Sequence, residues 1–362
     1  MIYIATLQKI QKQILKYIQK KAMVAGVLDK NILKKLKTNK ITNLQIDPFG
    51  YCNAKCWFCP VAYKAMPAHT AKHMSPDLFE KIIQNMVYEK EKFDGIVSSS
   101  FNHFYTAHYN EVLLYKYLEE MLHTAQKYNL KTSILSNGTN FTERKIEILK
   151  KYKNTIAGVY LNIPAFEEDL WKERSGIKNK SFEDLRKNVL NLMKAFPEMV
   201  KEKKICVGVN VPNQESMESL TLGTNAPIID ISRYGESFKQ IKIAEKMFDG
   251  LTIYSSPELT DRSGFLSKEK VIDNNKLIQI NKYSKKEITD CNLGENGRLY
   301  GWVHVNALGE TFICCNDYDY DYVFGSLVDK ELSEIWFSEE HTKTIARSLK
   351  TMCKKCCNAV WE

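Results

Sequence analysis

Extended-chain stretches alternate with helical stretches from residue 41 to about residue 255, and this alternation constrains the fold more than any other feature of the 362-residue chain. Candidate strands lie near Ile41–Asp47, Gly95–Ser99, Lys131–Leu135, Gly158–Ile163, Lys204–Val211 and Gly250–Tyr254. The fifth has the cleanest pattern: Ile205, Val207, Val209 and Val211 point one way, and Cys206, Gly208 and Asn210 the other. Between the strands, Pro76–Tyr88, Asn110–Lys127, Thr142–Lys151, Phe182–Ala195 and Glu236–Phe248 read as helices. Six βα units in series imply a parallel sheet curled into a full or partial barrel. Ligands in such folds sit beyond the C-terminal ends of the strands.

The charge is distributed unevenly. The net +9 comes from 52 basic and 43 acidic residues, but residues 1–40 alone hold ten lysines and one acid, Asp29, which leaves 42 of each sign in the rest. A neutral body argues against a globally basic nucleic-acid binder. Residues 3–22 read as an amphipathic helix, with Leu7, Ile10, Ile14, Tyr17 and Ile18 at helical spacing among lysines and glutamines. This segment either packs on the barrel with a solvated lysine face or docks on an anionic membrane surface or acidic partner. No apolar run approaches the ~20 residues that span a bilayer, and lysines punctuate the N-terminus where a signal peptide needs an apolar core. A cytoplasmic location follows. In that reducing compartment ten cysteines are metal ligands or redox groups before they are disulfides.

Three of them, Cys52, Cys56 and Cys59, stand as Cys-Asn-Ala-Lys-Cys-Trp-Phe-Cys just after the first strand, on a loop where a barrel places its ligand. Protein thiolates usually hold an iron–sulfur cluster by fours. A triple leaves one iron open to a substrate or cofactor, as catalytic zinc sites keep an open position. Half of a zinc site, completed by a distant histidine, is the other reading of the bare triple.

The Cys-x3-Cys-x2-Cys spacing, with Phe58 before the third cysteine, resembles the signature of radical S-adenosylmethionine (SAM) enzymes. The resemblance implies a partial (β/α)6 barrel and a 4Fe–4S cluster whose open iron chelates SAM. It also implies reductive cleavage of SAM to a 5′-deoxyadenosyl radical that takes a hydrogen atom from the substrate. Ser136-Asn137-Gly138-Thr139 looks like the family's Thr-Asn-Gly turn near SAM, and Asn162 matches a strand end where a polar side chain often contacts SAM. Asp261-Arg262-Ser263-Gly264 is similar to a segment common in members with extra clusters. The family's Gly-Gly-Glu-Pro after the second strand is not read here. Ser98 to Thr106 takes its place, so either backbone or the side chains of His103 or Tyr105 meet the SAM amino group.

Cys291, Cys314, Cys315, Cys353, Cys356 and Cys357 all fall in the last 72 residues. Cys353-Lys-Lys-Cys356 is a knuckle, and Leu299–Val305 with Thr311–Cys315 reads as a hairpin about Asn306-Ala-Leu-Gly309. A helix is expected from about Leu332 to Leu349. By spacing alone the metal is zinc or iron–sulfur. The stretch Val305–Asp317, then Phe324-Gly-Ser-Leu and Glu334-Ile-Trp336, resembles the SPASM/twitch extension of radical SAM enzymes, which implies one auxiliary 4Fe–4S cluster held by Cys291, Cys314, Cys353 and Cys356. Neighbouring strand residues face opposite ways, so Cys314 and Cys315 are not expected to share a cluster. Cys206 is expected to pack behind the sheet.

The chain thus divides into a basic helical segment (1–40), a radical SAM partial barrel (41–255), a linker (256–290) and an auxiliary-cluster region (291–362). The expected reaction is hydrogen abstraction from a small polar substrate, a sugar- or cyclitol-like alcohol that is dehydrogenated or epimerised. A peptide-modifying enzyme is the alternative, and a zinc-stabilised nucleic-acid-binding protein a remote one. Arg262, His103 and Tyr105 are candidate contacts, and a flavodoxin or ferredoxin the expected reductant.

Overall fold

The computed structural model describes residues 30–106, 108–209, 231–255, 263, 287–291, 297–356 and 358–361. The amphipathic stretch 3–22, Arg262 and Cys357 lie outside the described residues. Of the basic segment, 30–38 forms a helix.

Six parallel strands run in chain order across one sheet: β1 (Asn43–Ile46), β2 (His103–Tyr105), β3 (Lys131–Ser136), β4 (Ile156–Asn162), β5 (Ile205–Val209) and β6 (Thr252–Ser255). Their outward faces are apolar. Val159, Leu161, Ile205, Val207 and Val209 are buried under the helices, each contributing roughly 1.5–3 kcal/mol relative to exposure. The helices start where the sequence supplies caps. Ser75 and Thr142 accept from the backbone of Leu78 and Lys145, and Ser181 with Asp184 closes a capping box on Phe182–Ala195. This is the α/β partial barrel that the alternation demands.

The second strand lies later than the sequence pattern suggests. Gly95 sits against the end of helix Pro76–Glu91, where a Cβ would lie 1.6 Å from the Glu89 carbonyl oxygen, and the chain there meets β1 through one bridge, Ile41 with Val97. The ladder strand forms only at His103–Tyr105. His103 and Tyr105 therefore lie within a strand, not on the loop beyond it.

The C-terminal region extends the same sheet. β8 (Trp302–Val305) pairs parallel with β1, then β9 (Glu310–Phe312) and β10 (Val323–Ser326) follow antiparallel, giving the order β10-β9-β8-β1-β2-β3-β4-β5-β6. The hairpin starts three residues later than expected because Gly297–Gly301 forms a short helix. Gly309, at φ +80, makes the turn. The helix expected at 332–349 is two, Leu332–Trp336 and Glu339–Lys350, because Ser338 caps a fresh start by accepting from the His341 amide at 3.1 Å. A separate two-stranded sheet joins β7 (Ile288–Cys291) to β11 (Ala359–Trp361).

Register places Gln45, His103, Tyr105, Ser133, Leu135, Tyr160, Asn162, Cys206, Gly208, Tyr254, Trp302 and His304 on the inner face. Cys206 belongs to this face, opposite the buried Ile205, Val207 and Val209, so it does not pack behind the sheet. Gly208 leaves room here: a Cβ would lie 2.8 Å from the Tyr254 hydroxyl, so its absence lets that ring lie over β5.

Candidate active site

The loop after β1 carries Cys52, Cys56 and Cys59. The Lys55 and Trp57 amides donate to the Ser175 and Arg174 carbonyls at 2.8 and 3.1 Å, tying the loop to the end of helix Glu168–Ser175. That helix ends on Gly176, at φ +65, where a Cβ would lie 2.8 Å from Lys55. From the other side, Asn53 donates to Thr139 Oγ1 at 3.0 Å and accepts from Asn137 Nδ2 at 2.9 Å. Lys180 holds the same turn through the Thr139 carbonyl at 2.7 Å. The Ser136–Thr139 turn is thus bonded directly to the cysteine loop, and Asn137 Nδ2 also lies 3.9 Å from Cys52 Sγ.

All three cysteines line a cavity of ≈ 280 Å3 at the C-terminal ends of the strands, together with Phe58, His108, Asn110, Glu111, Asn137, Tyr160, Asn162 and Tyr254. Burial first, then the charges of Glu111 and Cys59, push the Cys52 thiol up to about 12. Burial, then Cys59 and Cys52, push Cys56 well above its ordinary range. Cys52 and Cys56, held neutral by burial and by neighbouring charges, fit as ligands of a cationic inorganic core, because bound metal reverses that balance and deprotonates the thiols. The donor set thus fits a cluster with three protein ligands.

Of the residues expected near SAM, Phe58, Asn137 and Asn162 line this cavity; His103 and Tyr105 do not. His103 Nε2 lies 3.3 Å from Ser133 Oγ, and Tyr105 stacks on Trp302, both within the barrel wall. The loop after the relocated β2 brings other residues instead. Glu111 is 1% exposed and accepts from the Asn137 amide and Ser136 Oγ, both at 2.8 Å. Burial raises its pKa to about 7 against these hydrogen bonds. Asn110-Glu111 was hidden because the sequence pattern absorbed it into a helix from Asn110; the helix starts at Leu118.

His108 joins the two cysteine regions. Its Nδ1 makes a 2.8 Å ion-pair contact with Asp47, outside hydrogen-bond alignment, and its Nε2 meets the Cys315 carbonyl. Burial opposes a charge on the ring, but Asp47 and Cys315 outweigh it and raise the pKa. Tyr109 donates to the same carbonyl at 3.0 Å, and Tyr320 to Asp47 at 3.2 Å.

The second cysteine group gathers at the meeting of β7, the turn after β9 and the segment Met352–Lys355. Ala359 pairs with Cys291, the Cys356 amide donates to the Cys353 carbonyl at 3.0 Å, and Asn316 Nδ2 lies 3.6 Å from Cys356 Sγ. Burial, then Cys356, push Cys353 up to about 12, with Cys291 adding to the shift. The Cys314 thiol is pushed well up, first by its contact with the Cys315 thiol, then by burial. Those two thiols meet because β9 ends at Phe312 and the pair lies in a turn, where strand alternation no longer applies. Cys356 thus neighbours both Cys353 and Cys314, and Cys353 neighbours Cys291; thiols linked in this way suit an iron–sulfur cluster. Among the described residues, no three Cys, His, Asp or Glu crowd closely enough for a single metal ion.

Lys35, on the 30–38 helix, anchors this region. Its Nζ meets Asp290 Oδ2 at 2.6 Å and the Thr289 carbonyl at 2.9 Å, and Asp290 Oδ1 accepts from the Cys291 amide at 2.8 Å. This end of the basic segment packs on the cysteine region; no helix among the described residues is long and apolar enough to cross a membrane.

Residues 46–221 match the family model of the Radical SAM superfamily, and residues 297–357 match that of an iron–sulfur cluster-binding domain, SPASM. Among solved structures, native anSMEcpe with bound AdoMet aligns with a TM-score of 0.52 at 16% identity, over 87% of this chain and 86% of that one. SuiB from Streptococcus suis aligns at 0.51 and 17% identity, over 88% and 71%. BtrN in complex with AdoMet and 2-DOIA aligns at 0.49 and 16% identity, over 89% and 94%. At these identities the first two likenesses establish the fold alone. No curated protein matches the chain.

Proposed function

Because the chain belongs to the radical SAM superfamily and carries a SPASM-type domain, it is an enzyme that uses SAM, a SAM-binding 4Fe–4S cluster and an auxiliary iron–sulfur cluster, and we propose that it oxidises a small polar alcohol. Cys52, Cys56 and Cys59 hold the first cluster in this reading, and Cys291, Cys314, Cys353 and Cys356 the second. When bound, the first cluster supplies the electron that cleaves SAM, and the second accepts the electron that the substrate gives up.

The chain's own residues do the rest. Asn137 and Asn162 orient SAM over the cysteine loop, and Phe58 walls it. Glu111 locks the Asn137 turn through two hydrogen bonds. Tyr160 and Tyr254 close the mouth and present hydroxyls to a hydroxylated substrate. SAM held there would supply the group that accepts a hydrogen atom from the carbinol carbon, and the proton and electron lost as the alcohol becomes a ketone would pass to solvent and to the auxiliary cluster.

The observation that carries this reading is the cavity. Tyr160, Asn162 and Tyr254 line it beside the three cysteines, so polar groups suited to an alcohol stand next to the place where the cluster and SAM would sit. A peptide substrate is the second reading. It draws on anSMEcpe, which is also solved with AdoMet and the Cp18Cys peptide and aligns at a TM-score of 0.50 and 17% identity.

The test is anaerobic turnover with SAM, dithionite and alcohols carrying deuterium on the carbinol carbon. Deuterium should appear in 5′-deoxyadenosine together with a ketone. Deuterium arriving from a labelled peptide, and from no alcohol tried, would sink the first reading and support the second.

A further inference from the structure

The inner wall of the sheet holds buried donors that the cysteine cavity does not use. Arg298, on the Gly297–Gly301 helix, lays its guanidinium carbon 3.4 Å from the centre of the Trp302 ring. Trp302 stacks on Tyr105 at 5.3 Å and on His304 at 5.9 Å. His304 is fully buried, whereas Arg298, Trp302 and Tyr105 are half-buried. The four side chains pack in one stacked cluster on the inner face of the sheet, partly exposed at Arg298, Trp302 and Tyr105 and closed at His304. Arg298, Trp302 and His304 do not line the cysteine cavity.

Arg298 Nε and Nη1, Trp302 Nε1 and both nitrogens of His304 are buried without a hydrogen-bond partner. Thr311 Oγ1, whose residue pairs with Val305 beside His304, is buried and unpartnered too. Burial, then the charges of Arg298 and His108, hold the His304 pKa well below its ordinary value, so the ring is neutral and offers one donor and one acceptor. His108 is already committed to Asp47 and Cys315.

We propose that Arg298, Trp302 and His304 bind a small oxyanion, a carboxylate or a phosphate, in the barrel wall. Buried polar groups are normally satisfied, and a buried cation normally has a counter-charge. Here donors outnumber acceptors and the charge is positive. Water would fill the hydrogen bonds but leave the charge uncompensated. An oxyanion fills both, through the charge-assisted hydrogen bonds in which arginine excels. The inference rests on these residues alone and stands whichever substrate the radical attacks.

Anaerobic calorimetric titration of the holoenzyme with inorganic phosphate, and separately with acetate, tests it. One saturable site should appear for at least one anion, and the titration giving the tighter site identifies the class. Arg298→Gln should weaken that binding at least about tenfold, in line with the loss of a charge-assisted hydrogen bond. Arg186→Gln, at an exposed arginine paired with Glu183, should leave it unchanged. If Arg298→Gln fails to fold, Trp302→Phe keeps a ring under the guanidinium, removes one donor and should weaken binding about threefold or more. No saturable site, a site indifferent to the foldable variants, or a crystal structure with a carboxylate of this chain on Arg298 would each overturn the proposal.

Discussion

Cys52, Cys56 and Cys59 come from eight consecutive residues of one loop, whereas Cys291, Cys314, Cys353 and Cys356 come from three separate segments. The first group faces a cavity and is pinned from two sides, by helix Glu168–Ser175 and by Asn53 bonded to the turn after β3. The second lines no part of that cavity and is held by a strand pair, a turn and a short helical segment. A site built on one loop with three thiols presents metal to a partner molecule. In the proposed ligand sets, a site assembled from distant segments with four thiols encloses its metal and makes those segments depend on it. His108 bridges the two regions, touching Asp47 after β1 and the Cys315 carbonyl.

Removing one ligand from each site should break the comparison most visibly. Cys56→Ala should lower bound iron from about eight to about four per chain and abolish 5′-deoxyadenosine formation. Cys353→Ala should lose about the same iron yet still cleave SAM, while substrate oxidation stops. If both variants lose SAM cleavage equally, the division of labour between the regions is wrong.

A pH effect comes next in size. The Glu111 pKa is raised by burial from 4.5 to about 7. Between those values the folded chain keeps a proton that the unfolded chain releases, so stability falls as pH rises through this window and levels off above it. The loss is on the order of 3 kcal/mol. Glu111→Gln should flatten that part of the anaerobic denaturation profile between about pH 5.5 and 7.5; an unchanged slope would remove Glu111 from the account.

The smallest effect concerns the basic segment. Lys35 and Asp290 are each 34% exposed, so their ion pair contributes about 1 kcal/mol or less. Lys35→Ala should lower the melting temperature by about 2 °C or less and perturb the spectrum of the auxiliary cluster before that of the first. A change confined to the first cluster would contradict the anchoring role.

The same contrast governs what the sequence alone reveals. The Cys52–Cys59 loop, Asn137 and Asn162 are legible because their signal is local: a short spacing, a turn, the end of a strand. The barrel is legible because period-2 and helical patterns repeat down the chain. Glu111 is not, since its role depends on where β2 falls, and Gly95 shifts that strand by packing against a helix end. The pairing of β8 with β1, and with it the Arg298–Trp302–His304 cluster, joins residues about 260 positions apart, and no local pattern encodes it. The contact of Cys314 with Cys315 escapes for a simpler reason: a strand ending three residues early, at Phe312, leaves the pair outside strand alternation.

The central claim is that Cys52, Cys56 and Cys59 alone hold the cluster that meets SAM. Electron paramagnetic resonance of the dithionite-reduced variant Cys291→Ala/Cys314→Ala/Cys353→Ala/Cys356→Ala tests it most directly. The account predicts the signal of one reduced 4Fe–4S cluster that changes when SAM is added. A variant that folds and keeps about four irons but shows a signal indifferent to SAM would contradict it.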